Sequence, residues 1–595
     1  MIAVSSPALP SHARIFGASG TVKHLAMRSK PTSVFLDLLA AANPKPAKLL
    51  SWVFINEDQL SDRIGPLVEL EPARTGIVLI ESHWKASLRP YHKQRLALIW
   101  ANQRHFALEQ ARRGVHVRYL TATTPYRTVL AEQAKALGPL QAMTPAEREM
   151  RADLLPLIQS KQLHLVRHDG WLTTHDDFTK SQSGPPWRMD KFYRHVRKQS
   201  GILMEGPKLD KYVGGKLSFD VDNRLRWDGD PQAPKLPVFK PDAIVSEICD
   251  MVERDFAHHP GVLDRSSIPA TLAQCQSLWK WALKSCMTEF GPYEDAMSSK
   301  SRTIFHTRIG AIMNLHRILP RDVVADAEKA AIPLSSKEGF IRQILGWREF
   351  VHHVHIATDG FRTLPPESGS VPVTSTPGHG GYALWTGKPW PVPDLLGVDS
   401  GGAQPAFLAG RHTSPLPPVF WNSTQTPSGM NCLDQVVTAV WQESYSHHIT
   451  RLMVLSNIAT LLDISPRELT DWFWAAYADA WDWVVEPNVL GMGTYAAGEV
   501  MTTKPYIAGS AYINKMSDYC RGCRFKPDVD CPLKFLYWAF LERHKARLDN
   551  NPRLFMPMRS LAKRAASAKA ADAKVFDRVV QLLVRGEPLT AKALL

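Results

Sequence analysis

Seven cysteines in 595 residues are too few for a disulfide framework, so the chain belongs in a reducing compartment, with clustered cysteines read as metal ligands. No apolar run approaches the roughly 20 residues that a membrane-crossing helix needs, so a cytoplasmic protein without membrane contact is expected. No GxGxxG follows any candidate strand, which excludes a dinucleotide site of that kind. A second CxxC is missing, which argues against an ordinary zinc ribbon. Acidic residues are absent before Asp37, and residues 1–48, rich in Pro, Ser, Ala and basic residues, read as a disordered extension.

What the sequence does contain is core-forming material and positive charge. Hydrophobic residues make up 44 % of the chain and charged residues 22 %, which excludes wholesale disorder. The net charge of +14 favours a polyanionic partner, nucleic acid first, although a generally basic surface fits it as well. Eighteen tryptophans include Trp472, Trp474, Trp481 and Trp483, close together in the chain. Such a set serves a core, stacks on a planar ligand or passes electrons.

Strands are expected at Trp52–Asn56, Gly76–Glu81, Val115–Leu120, Gln141–Thr144 and Leu163–Leu172, alternating with helices at His92–Gly114, Pro125–Leu137 and Pro145–Lys161. That alternation predicts an α/β, doubly wound parallel-sheet domain over 49–174. A connector spans 175–267, and an all-α domain spans 268–560, interrupted by a Pro/Gly-rich insertion at 362–418. A basic tail is expected at 561–595. Ser465-Pro466-Arg467-Glu468 marks a helix start, with an N-cap serine, proline at the first position and glutamate three beyond the cap.

Cys520 and Cys523 form a CxxC, Cys531 follows, and Cys432 lies far upstream. Four thiolates of this kind hold zinc or an iron–sulfur cluster, and scattered cysteines around one CxxC also arise by chance or for redox chemistry. The surrounding residues go further. KPYIAGSAYINKMSDYCRGC (504–523), CPLKFLYWAFL (531–541), EGFIRQILGWREF (338–350), MNC (430–432), SHHITRLM (446–453), YADAW (477–481), EPNVLGM (486–492) and DQLS (58–61) resemble the iron–sulfur bacterial cryptochrome and photolyase family, which includes prokaryotic (6-4) photolyases.

The resemblance implies an α/β antenna domain and a helical domain holding FAD, with a [4Fe–4S] cluster on Cys432, Cys520, Cys523 and Cys531. It implies blue-light repair of (6-4) photoproducts in damaged double-stranded DNA by a monomer, or cryptochrome-like light signalling without repair. A nucleic-acid-binding flavoprotein without light function is the third reading. Carried over by motif, His448, His447 and Tyr506 are the catalytic candidates, and Trp472 and Trp421 the electron-transfer tryptophans. His306, Thr307, Arg308, Gly310, Gln343, Arg348, Arg451, Asn457, Asp479 and Trp481 are expected around FAD, and Trp347, Met492 and Tyr512 around the lesion.

The chain departs from the family at several points. Glu57 replaces the glycine of GDQLS, and Lys85 replaces the glutamate that binds a lumazine antenna, so a Glu57–Lys85 contact is expected in place of the antenna. VELPN reads Val484-Val485-Glu486-Pro487-Asn488; either Glu486 reaches the flavin by a local shift, or the flavin lacks its carboxylate neighbour. Phe473 replaces a tyrosine of the electron-transfer branch, with Trp474 and Trp483 as conceivable substitutes. Gly310, Thr450 and Ser456 replace a Ser, a Gln and a Gly.

Overall fold

The computed structural model describes residues 33–45, 51–365, 372–373, 381–389, 404–405 and 414–594. Most of the 362–418 insertion and residues 1–32 lie outside the described residues.

The expected parallel sheet is present. Strands β1 (Ser51–Phe54), β2 (Thr75–Ser82), β3 (His116–Ala122), β4 (Leu140–Met143) and β5 (Leu163–Val166) run parallel in the order β3-β2-β1-β4-β5. Alternate residues of β1 and β2 face opposite layers, as the strand period of two requires. Val53, Ile77 and Leu79 meet Phe106 and Leu108 of one layer, while Phe54, Val78 and Ile80 meet Leu130 and Leu154 of the other. Both faces are covered, so the strands read as continuous apolar runs.

Three expectations about the ends of elements are corrected. β5 stops at Val166 rather than Leu172, because the chain turns there: Gly170 N–H donates to His168 Nδ1, and Asp169 accepts from Gly65 N–H. The 1–48 extension is ordered over α1 (Val34–Ala42), whose Phe35 and Leu39 are buried on the sheet's first layer. Ser33 caps α1 and donates to Glu247 of the connector. The basic 561–595 segment is not a loose tail either, as described below.

The layers around the sheet are α2 (Lys93–Arg112), α3 (Tyr126–Leu137) and α4 (Arg148–Gln159), and α5 (Ala243–Asp255) packs on α2. The helical domain follows, with α6 (Glu349–Ala357), α7 (Gly381–Thr386), α8 (Asn431–Glu443), α9 (Pro466–Ala476), α10 (Asp482–Glu486), α11 (Pro532–Arg543) and α12 (Ala566–Val584) among its helices. Ser465 accepts from Glu468 N–H at the start of α9, the cap expected from sequence. α12 lies along α11 and buries Val575, Phe576, Val579 and Leu582, an amphipathic stripe within a charged composition. Arg95 ties the two domains by donating to the carbonyls of Trp474, Tyr477 and Ala480.

Three π-helical stretches interrupt the helical domain: Arg342–Arg348, Arg451–Ser456 and Pro487–Gly493. Such turns mark functional sites more often than ordinary helix does. They carry Gln343, Trp347, Arg348, Arg451 and Met492 of the expected site residues.

Burial also sets the acid stability. It holds the His92 and His316 imidazoles down to about 3, and those of His259 and His353 to about 4, from an ordinary value of 6.5. Unfolded, each ring takes a proton near 6.5; folded, it does so only below about 4. The unfolded state therefore binds more protons, and stability falls as pH drops below 6.5. Asp58 and Glu468, both raised by burial to about 7, act in the opposite direction over the same range. Six more histidines are shifted down by burial, and seven more carboxyls are shifted up, so the two sets oppose each other as the pH falls below 6.5.

Candidate functional site

The loop after α8 and the π-helical stretch that follows it place three histidines together. His447 holds the N-cap position of a short helix, His448–Thr450, on a separate element from α8. His306 comes from the segment before Gly310. The rings of His306 and His447 stack face to face, 4.4 Å apart and 8° from parallel. His448 meets His306 edge-on at 5.4 Å.

The three rings differ in environment. Burial, then neighbouring positive groups, pushes the His306 and His447 imidazoles well below their usual range, so both are neutral. Their Nε2 and Nδ1 atoms respectively have no hydrogen-bond partner in the protein. The His448 side chain is 42 % exposed, and its Nε2 lies 3.7 Å from an Asp295 carboxylate oxygen. It alone of the three is open to solvent. Their ligand atoms lie within 4.8 Å of one another. Two parallel stacked rings, however, send their in-plane lone pairs side by side rather than toward one point, which suits acid–base work better than metal binding.

Beside these rings, Arg451 donates to both oxygens of Asp479, at 3.1 and 2.9 Å. Burial opposes the guanidinium charge, and the Asp479 carboxylate outweighs it. The Arg451 guanidinium also lies over the Tyr477 ring at 4.1 Å. A Cβ at Gly310 would come within 3.2 Å of an Asp479 oxygen, so glycine in place of the family's serine leaves this bidentate pair undisturbed.

Several other expected residues join this group. Tyr512 and His448 both approach Asp295, which also sits 3.8 Å from Arg224. Gln343 donates to Glu294, the residue before it. Burial raises the Tyr506 and Tyr512 phenols, Tyr512 beyond the ordinary range, so both remain protonated. Arg308 is held by Glu443 and stacks on Tyr445 at 4.0 Å. Buried Thr307 lies between His306 and Arg308.

Others are placed elsewhere. The Asn457 amide is used on backbone, donating to Ala508 C=O and accepting from Ala508 N–H. Arg348 pairs with Glu349 and lies over Trp171 at 4.1 Å, toward the sheet domain. Trp481 packs under Lys85 and Arg95 at the domain junction. Trp347 packs edge-on against Phe350, 6.1 Å away. Met492 is half-buried on its π-helical stretch. The sequence reading missed Asp295, Glu294, Arg224 and Glu443. Their only signal was adjacency to motif residues, because acidic and basic residues in loops look alike wherever they lead.

The residues fit a flavin chemically. A half-buried guanidinium–carboxylate pair suits an anionic ring, and two neutral, unpartnered imidazole nitrogens face the same region. Cavities of about 110 Å³, lined by Arg308, Gly310, Tyr445 and Asp479, and about 50 Å³, lined by His447 and Thr450, flank the pair.

Glu486 is bound into an ionic network within the protein. Its oxygens accept from Arg467 (2.7 Å) and Arg362 (3.0 Å) and bond His355 (2.9 Å). Against burial, Arg362 and these other partners hold its carboxyl well below the usual range. A one-residue shift rotates a helical side chain by about 100°, and here it turns the carboxylate into a buried network of its own.

At the carboxyl ends of the strands, the expected Glu57–Lys85 contact is present and is joined by a third group. Lys85 Nζ bonds Glu57 (2.7 Å) and Glu147 (2.5 Å), with all three buried. Glu57 follows β1 and Glu147 follows β4, so the trio lies where the strand order reverses. That crevice is where open α/β sheets bind ligands.

The four cysteines converge from α8 and the segment before α11. Cys432, Cys520, Cys523 and Cys531 line one small cavity with Met430, Tyr519 and Phe525. Burial, then the other three thiols, raises the Cys432 thiol well above its usual range. Four thiols on one small cavity are the donor set of a zinc ion or of an iron–sulfur cluster.

A parallel-sheet domain joined to a helical domain, with a half-buried Arg–Asp pair beside histidines and four converging thiols, defines the photolyase–cryptochrome class. The family model for deoxyribodipyrimidine photo-lyase-related proteins matches residues 53–267. A (6-4) photolyase of Agrobacterium fabrum (strain C58) is 32 % identical over 530 residues, covering 86 % of this chain and 95 % of that protein. The chain belongs to this family. Among solved structures, a bacterial class III photolyase from Agrobacterium tumefaciens covers 89 % of this chain and 99 % of its own, at 15 % identity and a TM-score of 0.47. A cryptochrome of Synechocystis sp. PCC6803 covers 89 % and 95 %, at 13 % identity and a TM-score of 0.44.

Proposed function

We propose that this protein repairs (6-4) photoproducts in double-stranded DNA under blue light, using FAD. The observation that carries this reading is the histidine trio beside the Arg451–Asp479 pair, with one ring open to solvent and two held neutral. Bound against that pair, FAD supplies the light-driven electron. The chain's own residues do the rest. Arg451 offsets negative charge on the ring system, and Asp479 fixes the guanidinium. His448 gives a proton to the lesion from Nε2, and Asp295 holds that atom in place. His306 and His447 wall the pocket with neutral rings, and Tyr506 and Tyr512 offer phenolic hydrogen bonds. A flipped base enters from the His448 side, where the site opens.

The surplus of positive charge supports phosphate-backbone binding that weakens with salt. The protein acts as a cytoplasmic monomer on DNA. Cys432, Cys520, Cys523 and Cys531 hold a [4Fe–4S] cluster that joins α8 to the 520–531 segment. Cys523→Ala should therefore remove most of the iron and lower the yield of soluble protein several-fold; iron content and solubility at parental levels would argue against a structural cluster.

A second reading, light signalling without repair, is favoured by the diversion of Glu486 and by Phe473. The two are separated by one assay. Reduced protein is mixed with an oligonucleotide carrying one (6-4) photoproduct and illuminated, and restored thymines are followed against a dark control. Light-dependent restoration supports repair; none, with full FAD and iron, supports signalling.

A further inference from the structure

We infer that Trp441 and Trp385, neither of them a position carried over from the family, complete an electron-transfer chain from the flavin site to the protein surface. This rests on the flavin site proposed above.

The chain is visible as a series of ring contacts. Tyr477, under Arg451, lies 6.0 Å from Trp472. Trp472 lies 6.1 Å from Trp441, and Trp441 stacks on Trp421 at 5.6 Å and 27°. Trp421 stacks on Trp385 at 6.1 Å and 11°. Trp472, Trp441 and Trp421 are buried, and Trp385 is half-buried on α7. The expected substitutes for the missing tyrosine lie off this line: Trp474 packs against Arg89, and Trp483 against Trp171 and His352. Phe473 stacks on Tyr477 and leads no farther outward.

Three features suit these rings to carry positive charge. First, the indole N–H groups of Trp441 and Trp472 both donate to one acceptor, the Phe420 carbonyl, at 2.7 and 2.8 Å. An oxidised indole N–H is strongly acidic, and a carbonyl at that distance stabilises its cation. Second, His92 stacks on Trp441 at 5.7 Å, and burial holds its ring to about 3, so it adds no opposing charge. Third, Arg451 sits at the inner end, where its charge repels a hole and favours its movement outward.

The outer ring is fixed to the chain from the inside. Glu468, on the first turn of α9, accepts from Gly381 N–H (2.6 Å) and Leu416 N–H (2.9 Å). It thereby docks α7, which begins at Gly381, onto the helix that carries Trp472. A Cβ at Gly381 would lie 1.7 Å from the Leu416 carbonyl oxygen, so only glycine permits this approach.

Each hop moves one electron inward and leaves an indole radical cation one ring farther out. The electron leaving Trp472 reduces the photoexcited flavin. The hole at Trp385 is filled by a soluble thiolate, and two such donations yield one disulfide. No proton need leave the chain.

The test uses the full-length holoprotein with oxidised FAD, illuminated in dithiothreitol. Trp441→Phe should slow photoreduction at least tenfold, and Trp385→Phe about three- to fivefold. Flavin occupancy and dark reduction by dithionite should be unchanged. Trp483→Phe should match the parent. Transient absorption should show the tryptophan cation decaying faster in Trp441→Phe, by return of charge to the flavin. Parental photoreduction in flavin-loaded Trp441→Phe would overturn the inference. Should that variant lose its flavin, parental rates and cation lifetimes in Trp385→Phe would overturn the surface exit. A parent chain that binds no flavin, read from its absorption spectrum, would overturn the flavin site and the relay together.

Discussion

His448→Ala should lower light-driven repair by about 10²- to 10⁴-fold, the range for loss of a general acid, while flavin binding and photoreduction persist. The reasoning is one of access. His306 and His447 are stacked, buried and neutral, so neither delivers a proton and recovers it between turnovers. His448 is open to solvent and has a carboxylate oxygen 3.7 Å from Nε2. His447→Phe keeps the ring stack and should cost less than tenfold. Equal losses in the two variants would mean that the trio acts only by shape. The readout is restored thymine per absorbed photon, which separates chemistry from flavin loss.

Lys85→Met should destabilise the protein by about 3–5 kcal/mol, because it leaves Glu57 and Glu147 buried without their cation. Burial alone would lower the lysine's proton affinity, yet Glu147 and Glu57 together raise it well above its ordinary value, so its charge is secure at any working pH. The triple change Glu57→Gln, Lys85→Met, Glu147→Gln removes all three charges and should recover most of the loss. Denaturant midpoints decide it; a single variant as stable as the parent would show that water reaches the trio. The same occupancy of the crevice predicts protein purified without 6,7-dimethyl-8-ribityllumazine.

Much of the fold was legible because its signals are local. Strand and helix alternation gave the sheet, and Ser465-Pro466-Arg467-Glu468 gave the start of α9. The Glu57–Lys85 pair was legible from two opposite departures that face one pocket, but Glu147 was not, since nothing in its neighbourhood marks it as a third partner. The α12 stripe was hidden by its lysines and arginines, which line the exposed face. Long motifs picked out residues that the fold brings together, His447, His448, Arg451 and Asp479 in one group and the four cysteines in another. The site was not legible where a residue's role depends on distant packing. Asn457, Arg348 and Trp481 sit in family motifs, yet they spend their polar groups or faces on backbone and on the domain junction. Trp441 carries no motif of its own, and only its neighbours in space mark it out.

The closure of the thiol pocket has a consequence for how the protein matures. Leu589 N–H donates to Ser428 C=O at 2.8 Å, and Arg524 donates to Leu589 C=O at 3.3 Å. Gly429 lies so close that a Cβ there would be 2.4 Å from the Leu589 oxygen. One short segment thus clasps the loop leading to Cys432 and the loop carrying Cys520 and Cys523. During synthesis that segment leaves the ribosome after every cysteine. This clasp is therefore the last contact to form on the two stretches that carry these thiols.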